Sequence, residues 1–252
     1  MPMITTERGD FYYKDYRRKA DAPAIVLIHG AGGIYLDWAI EMRRDLGAIA
    51  LDLSGHGRSG GEGHQTITGY AQDIVAFLDA LHIEKATLIG HSMGGAISQQ
   101  IALDFPNYVE CLVLIATGAR LKVGDAILQG IQHDMQATAE LIVALSWTKE
   151  VDDAIKQQGV ERLLNTPKEV IYKDFLACNA FDVRTRLAEI SIPAFVIAGT
   201  ADKMTPLAWN QALAEGLPSS TLHIIEGQGH QLHVEKAATV TNWISTGLSL
   251  ER

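Results

Sequence analysis

The residues best suited to covalent chemistry lie in the sequence GHSMG at residues 90–94, which has the spacing GxSxG. A short apolar run at residues 86–89 precedes it and predicts a buried strand, and apolar residues at helical spacing follow it as far as Phe105. Glycines on both sides of Ser92 allow the tight, strained strand-to-helix turn that lifts a hydroxyl clear of a sheet edge. The pattern therefore predicts that Ser92 is a nucleophile.

A serine nucleophile needs a histidine base and an acid that orients the base. Two strand-like runs further along the chain each lead into a loop that carries one of these groups. Residues 194–198 precede a loop with Asp202, and residues 221–225 precede a glycine-rich loop that ends in His230. The chain order Ser92, Asp202, His230 is the one expected when three groups come from successive strand ends of one α/β sheet.

Both partners of the serine have rivals in the sequence. His233 lies three residues after His230, at a point where a helix is expected to begin, so His230 is the preferred base. Asp182 competes with Asp202 for the role of acid, but Asp182 fits the N-cap of a helix before Leu187 equally well. The sequence therefore favours Asp202 and His230.

Three loops at strand ends need a sheet to position them, and apolar runs elsewhere predict its other strands. These runs lie at residues 11–16, 24–29, 49–53 and 111–116. Apolar residues at helical spacing predict a helix at residues 70–81.

Together these motifs resemble those of the α/β-hydrolase superfamily, from about Tyr12 to about Ile244. The sequence VLIHGAGG at residues 26–33 resembles the HGxG strand and oxyanion loop of that superfamily, and DLSGHGRS at residues 52–59 resembles its DxxGxGxS turn. The resemblance implies an α/β fold with a mostly parallel, eight-stranded sheet flanked by helices and with a helical cap inserted.

The same resemblance assigns the groups that stabilise an oxyanion. It implies the backbone N–H groups of Ala31 and Met93 as donors, with Gly32 as a less favoured second donor.

Some members of the superfamily carry the acid after the sixth strand, but here residues 113–116 run into a loop without a carboxylate. Three histidines beside the motifs are expected to brace loops rather than touch substrate: His29, His56 and His91.

The serine also discriminates among reactions. Haloalkane dehalogenases and epoxide hydrolases resemble this fold but need an aspartate in place of Ser92.

We expect a serine hydrolase that cleaves carboxylic esters or lactones of small molecules through an acyl-serine intermediate. Alternatives are a hydrolase of carbon–carbon bonds in meta-cleavage products, a cofactor-free perhydrolase or haloperoxidase, and a non-catalytic receptor for a small ligand. The chain departs from the pattern of the carbon–carbon hydrolases. Those enzymes usually have a proline in the oxyanion loop and a tryptophan after the catalytic histidine, where this chain has Gly33 and Gln231.

Strand signals stop between Arg120 and Ile190, and apolar residues recur there at helical spacing. By the resemblance, residues 120–180 form the cap between the core segments 1–119 and 181–252. Substrate choice is expected to depend on the cap and on residues beside the motifs, because the catalytic groups act only on the carbonyl. Candidate pocket residues are Gly32, Ile34, Trp38, Met135, Leu145, Trp147, Phe175, Phe181, Met204 and Leu207.

Composition narrows the class of partner. The 252 residues, 47% hydrophobic, suit one globular domain with a sizeable core. A formal charge of −9 argues against nucleic acid or an anionic membrane as the main partner. Cys111 and Cys178 are expected to be reduced core residues, and neither a signal sequence nor an apolar run of about 18 residues is present. We expect a cytoplasmic enzyme without metal or cofactor, and its oligomeric state stays open.

Overall fold

An eight-stranded β-sheet forms the centre of the protein in the computed structural model, which describes residues 2–19 and 22–249. Met1 and residues 250–252, at the ends of the two predicted core segments, lie outside the described residues. The strands are β1 (Met3–Thr6), β2 (Gly9–Asp15), β3 (Ala24–Ile28), β4 (Ile49–Leu51), β5 (Ala86–His91), β6 (Val109–Ile115), β7 (Ala194–Gly199) and β8 (Ser220–Ile225).

The strands are arranged in the order β1-β2-β4-β3-β5-β6-β7-β8. The pairs β1–β2 and β2–β4 are antiparallel, and every later pair is parallel. The predicted mostly parallel, eight-stranded sheet is therefore confirmed. Because β3, β5, β7 and β8 run in the same direction, the loops that follow them meet at one edge of the sheet.

Ten α-helices accompany the sheet in the part of the chain that the structure describes. They are α1 (Ile40–Asp45), α2 (Ile67–Ala80), α3 (Met93–Asp104), α4 (Asp125–His133), α5 (Met135–Ser146), α6 (Asp153–Asn165), α7 (Lys168–Ala180), α8 (Leu207–Gly216), α9 (Leu232–Glu235) and α10 (Ala237–Gly247). None of them within residues 2–19 and 22–249 has the length and apolar character that a membrane span requires.

Two hydrophobic layers cover the two faces of the sheet. Successive side chains of a strand point to opposite faces, so Val26 and Ile28 of β3 join one buried cluster and Ile25 and Leu27 join the other. Helices α2, α3 and α8 contribute to the first cluster, and α1 and α10 contribute to the second. The sheet is thus held between two layers of helices, which keeps its strand ends in fixed positions.

Two elements differ from the pattern in the sequence. The sequence gives no strand before residue 11, yet β1 pairs there with β2 and places Ile4 opposite Phe11. β1 is an edge strand with half-exposed side chains, so it lacks the apolar run that marks a buried strand. Helix α2 begins at Ile67, because the Thr66 hydroxyl accepts a hydrogen bond from the Gly69 N–H (3.2 Å) and caps the first turn.

Helices α4 to α7 lie between β6 and β7 and have a hydrophobic core of their own. Ile131 of α4, Ile142 of α5 and Ile171 of α7 belong to a buried cluster that is separate from both layers on the sheet. A separate core is what an inserted unit needs in order to keep its shape. That residues 120–180 act as a cap over a catalytic site stays a prediction.

Candidate active site

Ser92 stands at the sharp turn between β5 and α3. Its backbone has φ 53° and ψ −116°, a strained conformation that persists only when the surrounding structure enforces it. The Ser92 N–H donates a hydrogen bond to the Ile115 carbonyl (3.0 Å). The Ser92 carbonyl accepts hydrogen bonds from the Thr117 hydroxyl (2.8 Å) and the Gly95 N–H (2.9 Å). The turn is therefore held from both sides, where the GxSxG spacing predicts it.

Close approach of two backbone segments requires glycine at Gly94. A Cβ added to Gly94 would overlap the Ile28 carbonyl at the end of β3. With glycine at this position, the first turn of α3 can pack against the loop that follows β3. That packing brings Ser92 next to the predicted oxyanion loop.

Asp202 and His230 are in hydrogen-bonded contact beyond the ends of β7 and β8, and both side chains are buried. His230 Nδ1 lies 2.9 Å from Asp202 Oδ2. The carboxylate also accepts hydrogen bonds from the Met204 N–H (2.8 Å), the Thr205 N–H (2.9 Å) and the Thr205 hydroxyl (2.8 Å). Burial raises the pKa of Asp202, but the attraction of His230 and these hydrogen bonds outweigh it and place the pKa below its ordinary value. An ionised Asp202 accepts from Nδ1 and leaves Nε2 as the basic nitrogen of His230.

The three predicted residues meet around one cavity. Ser92 and His230 both line it, and Asp202 lies behind the His230 ring. Among the described residues, no hydrogen bond joins the Ser92 hydroxyl to His230. Catalytic hydrogen bonds often form only when substrate is bound, so the placement of the side chains is the relevant observation.

The structure separates both rivals from this arrangement. Asp182 is exposed and pairs with Arg184 at 2.7 Å, and its hydrogen bond from Arg184 lowers its pKa. His233 is the second residue of the short helix α9 and is completely buried. Burial, together with the nearby His230, lowers the pKa of His233 to about 3. Neither residue is placed to serve Ser92.

Ala31 and Met93 have backbone N–H groups without a hydrogen-bond partner in the described part of the chain. Ala31 lines the cavity, and Met93 directly follows Ser92 as the first residue of α3. Gly32, the less favoured donor, differs, because its N–H donates to Asp174 Oδ2 at 2.8 Å. The N–H groups of Ala31 and Met93 are thus free to bind a ligand oxygen, whereas that of Gly32 is already engaged, and their role as oxyanion donors stays a prediction.

Two of the three flanking histidines hold loops together. His29 Nδ1 donates to the Gly30 carbonyl (2.8 Å), and His29 Nε2 accepts from the Leu53 N–H (3.0 Å). Burial keeps the pKa of His29 well below its ordinary value, which leaves this ring neutral. His91 Nε2 donates to the His230 carbonyl at 3.0 Å. These contacts are those of braces between the loops that carry the site.

The third flanking histidine, His56, contacts a buried acid that the sequence analysis did not identify, Asp174. His56 Nε2 lies 2.8 Å from Asp174 Oδ2, and both side chains are completely buried. Asp174 stands in the middle of α7, between Lys173 and Phe175, so its position in the sequence resembles that of any polar residue on a helix. The signal available in the sequence was an acidic residue among the apolar residues of α7. A carboxylate that becomes buried there needs hydrogen-bond or charged partners.

The cavity has a volume of about 600 Å³. Loops at the carboxyl edge of the sheet and side chains of α4 to α7 line it. Most of the lining is apolar, which is typical of a site for a small organic molecule. Five candidate pocket residues are part of this lining: Gly32, Leu145, Trp147, Phe175 and Met204.

The other five candidate pocket residues are not part of the lining, because proximity in sequence does not decide where a side chain points. Trp38 is completely buried and packs against the His233 ring, with 4.9 Å between ring centroids. Phe181 belongs to the hydrophobic layer on the sheet, and Met135 packs against the cluster within α4 to α7. Ile34 precedes a short 3-10 helix and Leu207 begins α8, and neither side chain is part of the cavity wall.

Positive charge is concentrated at this cavity although the protein has a formal charge of −9. Lys122, Arg162 and Lys203 line it, and Asp37 is the one acidic residue in the lining. Asp37 pairs with Arg162. Lys122 and Lys203 form no ion pair within residues 2–19 and 22–249. In the same ranges, no three His, Cys, Asp or Glu side chains are grouped as metal ligands.

Comparisons with known proteins agree with this geometry. A model of the alpha/beta hydrolase family matches residues 25–242. The protein provisionally named carbamate hydrolase RutD in Agrobacterium fabrum is 30% identical over 234 residues, 86% of this chain and 90% of that one. The 3-oxoadipate enol-lactonase 2 of Acinetobacter baylyi is 30% identical over 237 residues, 86% and 85% of the two chains. The crystal structure of the enol-lactonase from Burkholderia xenovorans LB400 matches with a TM-score of 0.91 at 25% identity, over 98% of this chain and 100% of that one.

Proposed function

The chain belongs to the alpha/beta hydrolase family, and on that premise we propose that it hydrolyses carboxylic esters or lactones of small molecules through an acyl intermediate on Ser92. The observation that carries the proposal is Ser92 at its strained turn, beside the Asp202–His230 pair at one cavity. Two relatives named as enol-lactonases support it. A lactone is an internal ester, so the same attack on its carbonyl opens the ring.

The reaction begins when the Ser92 hydroxyl attacks the ester carbonyl and His230 Nε2 takes its proton. Ionised Asp202 stabilises the resulting imidazolium through Nδ1. The N–H groups of Ala31 and Met93 bind the carbonyl oxygen as it becomes an oxyanion. When the carbon–oxygen bond breaks, His230 gives the proton to the leaving alkoxide, and the acyl group remains on Ser92.

Water completes the cycle by the same steps in reverse order. His230 takes a proton from the water as it attacks the acyl carbonyl, and Ser92 leaves as an alkoxide that recovers this proton. The carboxylic acid is then released. A perhydrolase would use hydrogen peroxide in place of this water, and a carbon–carbon hydrolase would release a carbanion in place of the alkoxide. Both alternatives depend on the same three residues, so the substrate decides between them.

The charges of the cavity point to the kind of ester. Its wall is mostly apolar, but Lys122 and Lys203 contribute positive charges that have no ion-pair partner among the described residues, and Asp37 is already paired. A cleft of one sign raises the local concentration of a ligand of the opposite sign. The proposed substrate is therefore a small ester or lactone that also carries a carboxylate.

The test compares four acyl substrates on the purified protein: p-nitrophenyl butyrate, the mono-p-nitrophenyl ester of glutaric acid, an aliphatic lactone and a meta-cleavage dione. We expect turnover of the esters and the lactone by wild type and none by Ser92→Ala at an unchanged melting temperature. Turnover of the dione alone would contradict ester hydrolysis. Tight binding of lactone without any turnover would favour a receptor.

The charged ester carries the second part of the proposal. We expect the double variant Lys122→Gln, Lys203→Gln to lower kcat/KM for the glutarate ester by about fivefold, the scale of exposed ion pairs, and to leave the butyrate ester unchanged. Lys168→Gln, on α7 and outside the cavity lining, is the matched control. Equal loss for both esters would mean that the lysines do not recognise charge.

A further inference from the structure

Asp174 binds groups from three distant parts of the chain at one buried point. Its Oδ2 accepts hydrogen bonds from the Gly32 N–H and from His56 Nε2, each at 2.8 Å. Its Oδ1 accepts a hydrogen bond from the Tyr70 hydroxyl. Asp174 lies on α7, Gly32 in the loop after β3, His56 in the loop after β4 and Tyr70 on α2. One carboxylate therefore joins the inserted helices to the loop that carries Ala31, one of the two proposed oxyanion donors.

The surroundings of His56 favour the protonated form of its ring beside this carboxylate. His56 Nδ1 lies 3.0 Å from the Ser54 carbonyl, while Nε2 faces Asp174. Both ring nitrogens thus face acceptors, an environment that suits the imidazolium form, in which both nitrogens donate. Burial alone lowers the pKa of His56, but the Asp174 carboxylate raises it above its ordinary value. His56 and Asp174 thus form a buried ion pair at 2.8 Å, and breaking such a pair by removing one partner is costly.

This ion pair lies directly beside the atoms that would bind an oxyanion. Gly32 follows Ala31, and its φ of +66° is one that glycine adopts without strain. The hydrogen bond to Asp174 takes the Gly32 N–H out of the cavity and fixes the peptide plane next to the Ala31 N–H. A lone carboxylate 2.8 Å from the Gly32 N would oppose a negative charge that develops beside Ala31, and a proton on His56 offsets that repulsion.

We propose that Asp174 is a positioning residue that orients the Ala31 N–H for transition-state binding and fastens α7 to the oxyanion loop. The catalytic part of this inference rests on the proposed ester hydrolysis. Asp174 touches neither the substrate nor the reacting atoms. It acts through the Gly32 peptide, so its replacement should lower kcat by a larger factor than it changes KM.

Three variants separate positioning from simple stabilisation. Asp174→Leu removes the acceptor for Gly32 and should lower kcat by about 10²- to 10³-fold, the effect of losing an oxyanion donor, with KM within about threefold of wild type. Asp174→Asn can still present an oxygen to Gly32 and an amide to Tyr70, so it should recover at least tenfold of the lost kcat. Tyr70→Phe removes the bond to Oδ1 and the contact of the phenol with the His64 backbone, but it leaves both bonds to Oδ2 and should keep kcat within about threefold.

A second buried acid, which neither lines the cavity nor contacts Gly32, provides the matched control. Asp73 is as buried as Asp174 and pairs with Arg8 (2.6 Å) and His64 (2.7 Å), away from the cavity. Asp73→Leu should lower the melting temperature about as much as Asp174→Leu does but leave kcat unchanged. If both Leu variants lower kcat equally, Asp174 only stabilises the fold and the proposal is wrong.

A second measurement does not depend on turnover. Hydrogen exchange of the Gly32 amide, followed by NMR on the full chain, should be slow in wild type and Asp174→Asn. It should be fast in Asp174→Leu or, if that variant does not fold, in Asp174→Ser. Fast exchange of this amide in wild type would overturn the inference, as would a folded variant that loses its protection and keeps its kcat. Slow exchange in a protein that cleaves no ester would refute the proposed function while leaving the hydrogen bond established.

Discussion

Replacing His233 with phenylalanine isolates the histidine that competes with His230 for the role of base. The His233 ring is completely buried, 4.9 Å from the Trp38 ring and 4.1 Å from the His91 ring between centroids. Neither of its nitrogens has a hydrogen-bond partner in the described part of the chain. The substitution His233→Phe therefore keeps a ring in the cluster and removes no hydrogen bond.

The size of the effect follows from the pKa of His233. Burial lowers this pKa from 6.5 to about 3 in the folded protein, whereas the unfolded chain keeps the ordinary value. The unfolded state thus binds more protons below pH 6.5, so the folded state loses stability as the pH falls toward 3. Between pH 6.5 and pH 4.5 the loss from this single group is about 2 kcal/mol, because the slope is about half its full value at pH 6.5 and approaches roughly 1.4 kcal/mol per pH unit only below it.

Urea unfolding of wild type and His233→Phe at pH 7 and pH 4.5 measures this effect. We expect similar free energies of unfolding at pH 7, and at pH 4.5 the variant should be the more stable by about 2 kcal/mol. Its ester kcat/KM at pH 7 should stay within about threefold of wild type. His133→Phe, at an exposed position on α4, is the control and should not reduce the acid loss. An equal acid loss in wild type and His233→Phe would refute the reasoning, and a folded but inactive variant would make His233 the base.

Two further predictions concern the acid and the cavity wall. Asp202→Asn should lower kcat on the order of 10⁴-fold, as in a serine protease whose histidine loses its orienting acid; Asp182→Asn should have no effect, and the reverse result would exchange the two assignments. Trp147→Ala should change the ratio of kcat/KM between octanoate and acetate esters, because Trp147 lines the cavity. Phe181→Ala should instead lower the free energy of unfolding by about 3–5 kcal/mol without changing that ratio, and a changed ratio would place Phe181 in the pocket.

Local patterns in the sequence predict the strands of the sheet that are buried on both faces. Residues such as Leu27 and Leu88 lie in apolar runs whose burial is evident from composition alone. The edge strand β1 escapes this reasoning, since its side chains are half exposed and its position depends on pairing with β2. The bounds of α2 depend on a single cap at Thr66, which hydrophobic periodicity does not register.

The predicted nucleophile, acid and base come together because each follows a parallel strand, and the topology brings those strand ends to one edge. The pocket is harder to predict, since side-chain direction depends on tertiary packing. Trp38 follows the predicted oxyanion loop closely in sequence, yet it packs beside His233 in the core. Asp174 is the extreme case, because its partners Gly32 and His56 lie 142 and 118 residues away in sequence.

Trapping the acyl intermediate tests the central claim most directly. Wild type and Ser92→Ala are mixed with a slowly released acyl donor, quenched in acid, and measured by mass spectrometry of the intact protein and its peptides. The account predicts one added acyl group on wild type, located on the peptide that contains Ser92, and none on Ser92→Ala. An acyl group on another residue, or ester turnover by Ser92→Ala at the wild-type rate, would contradict it.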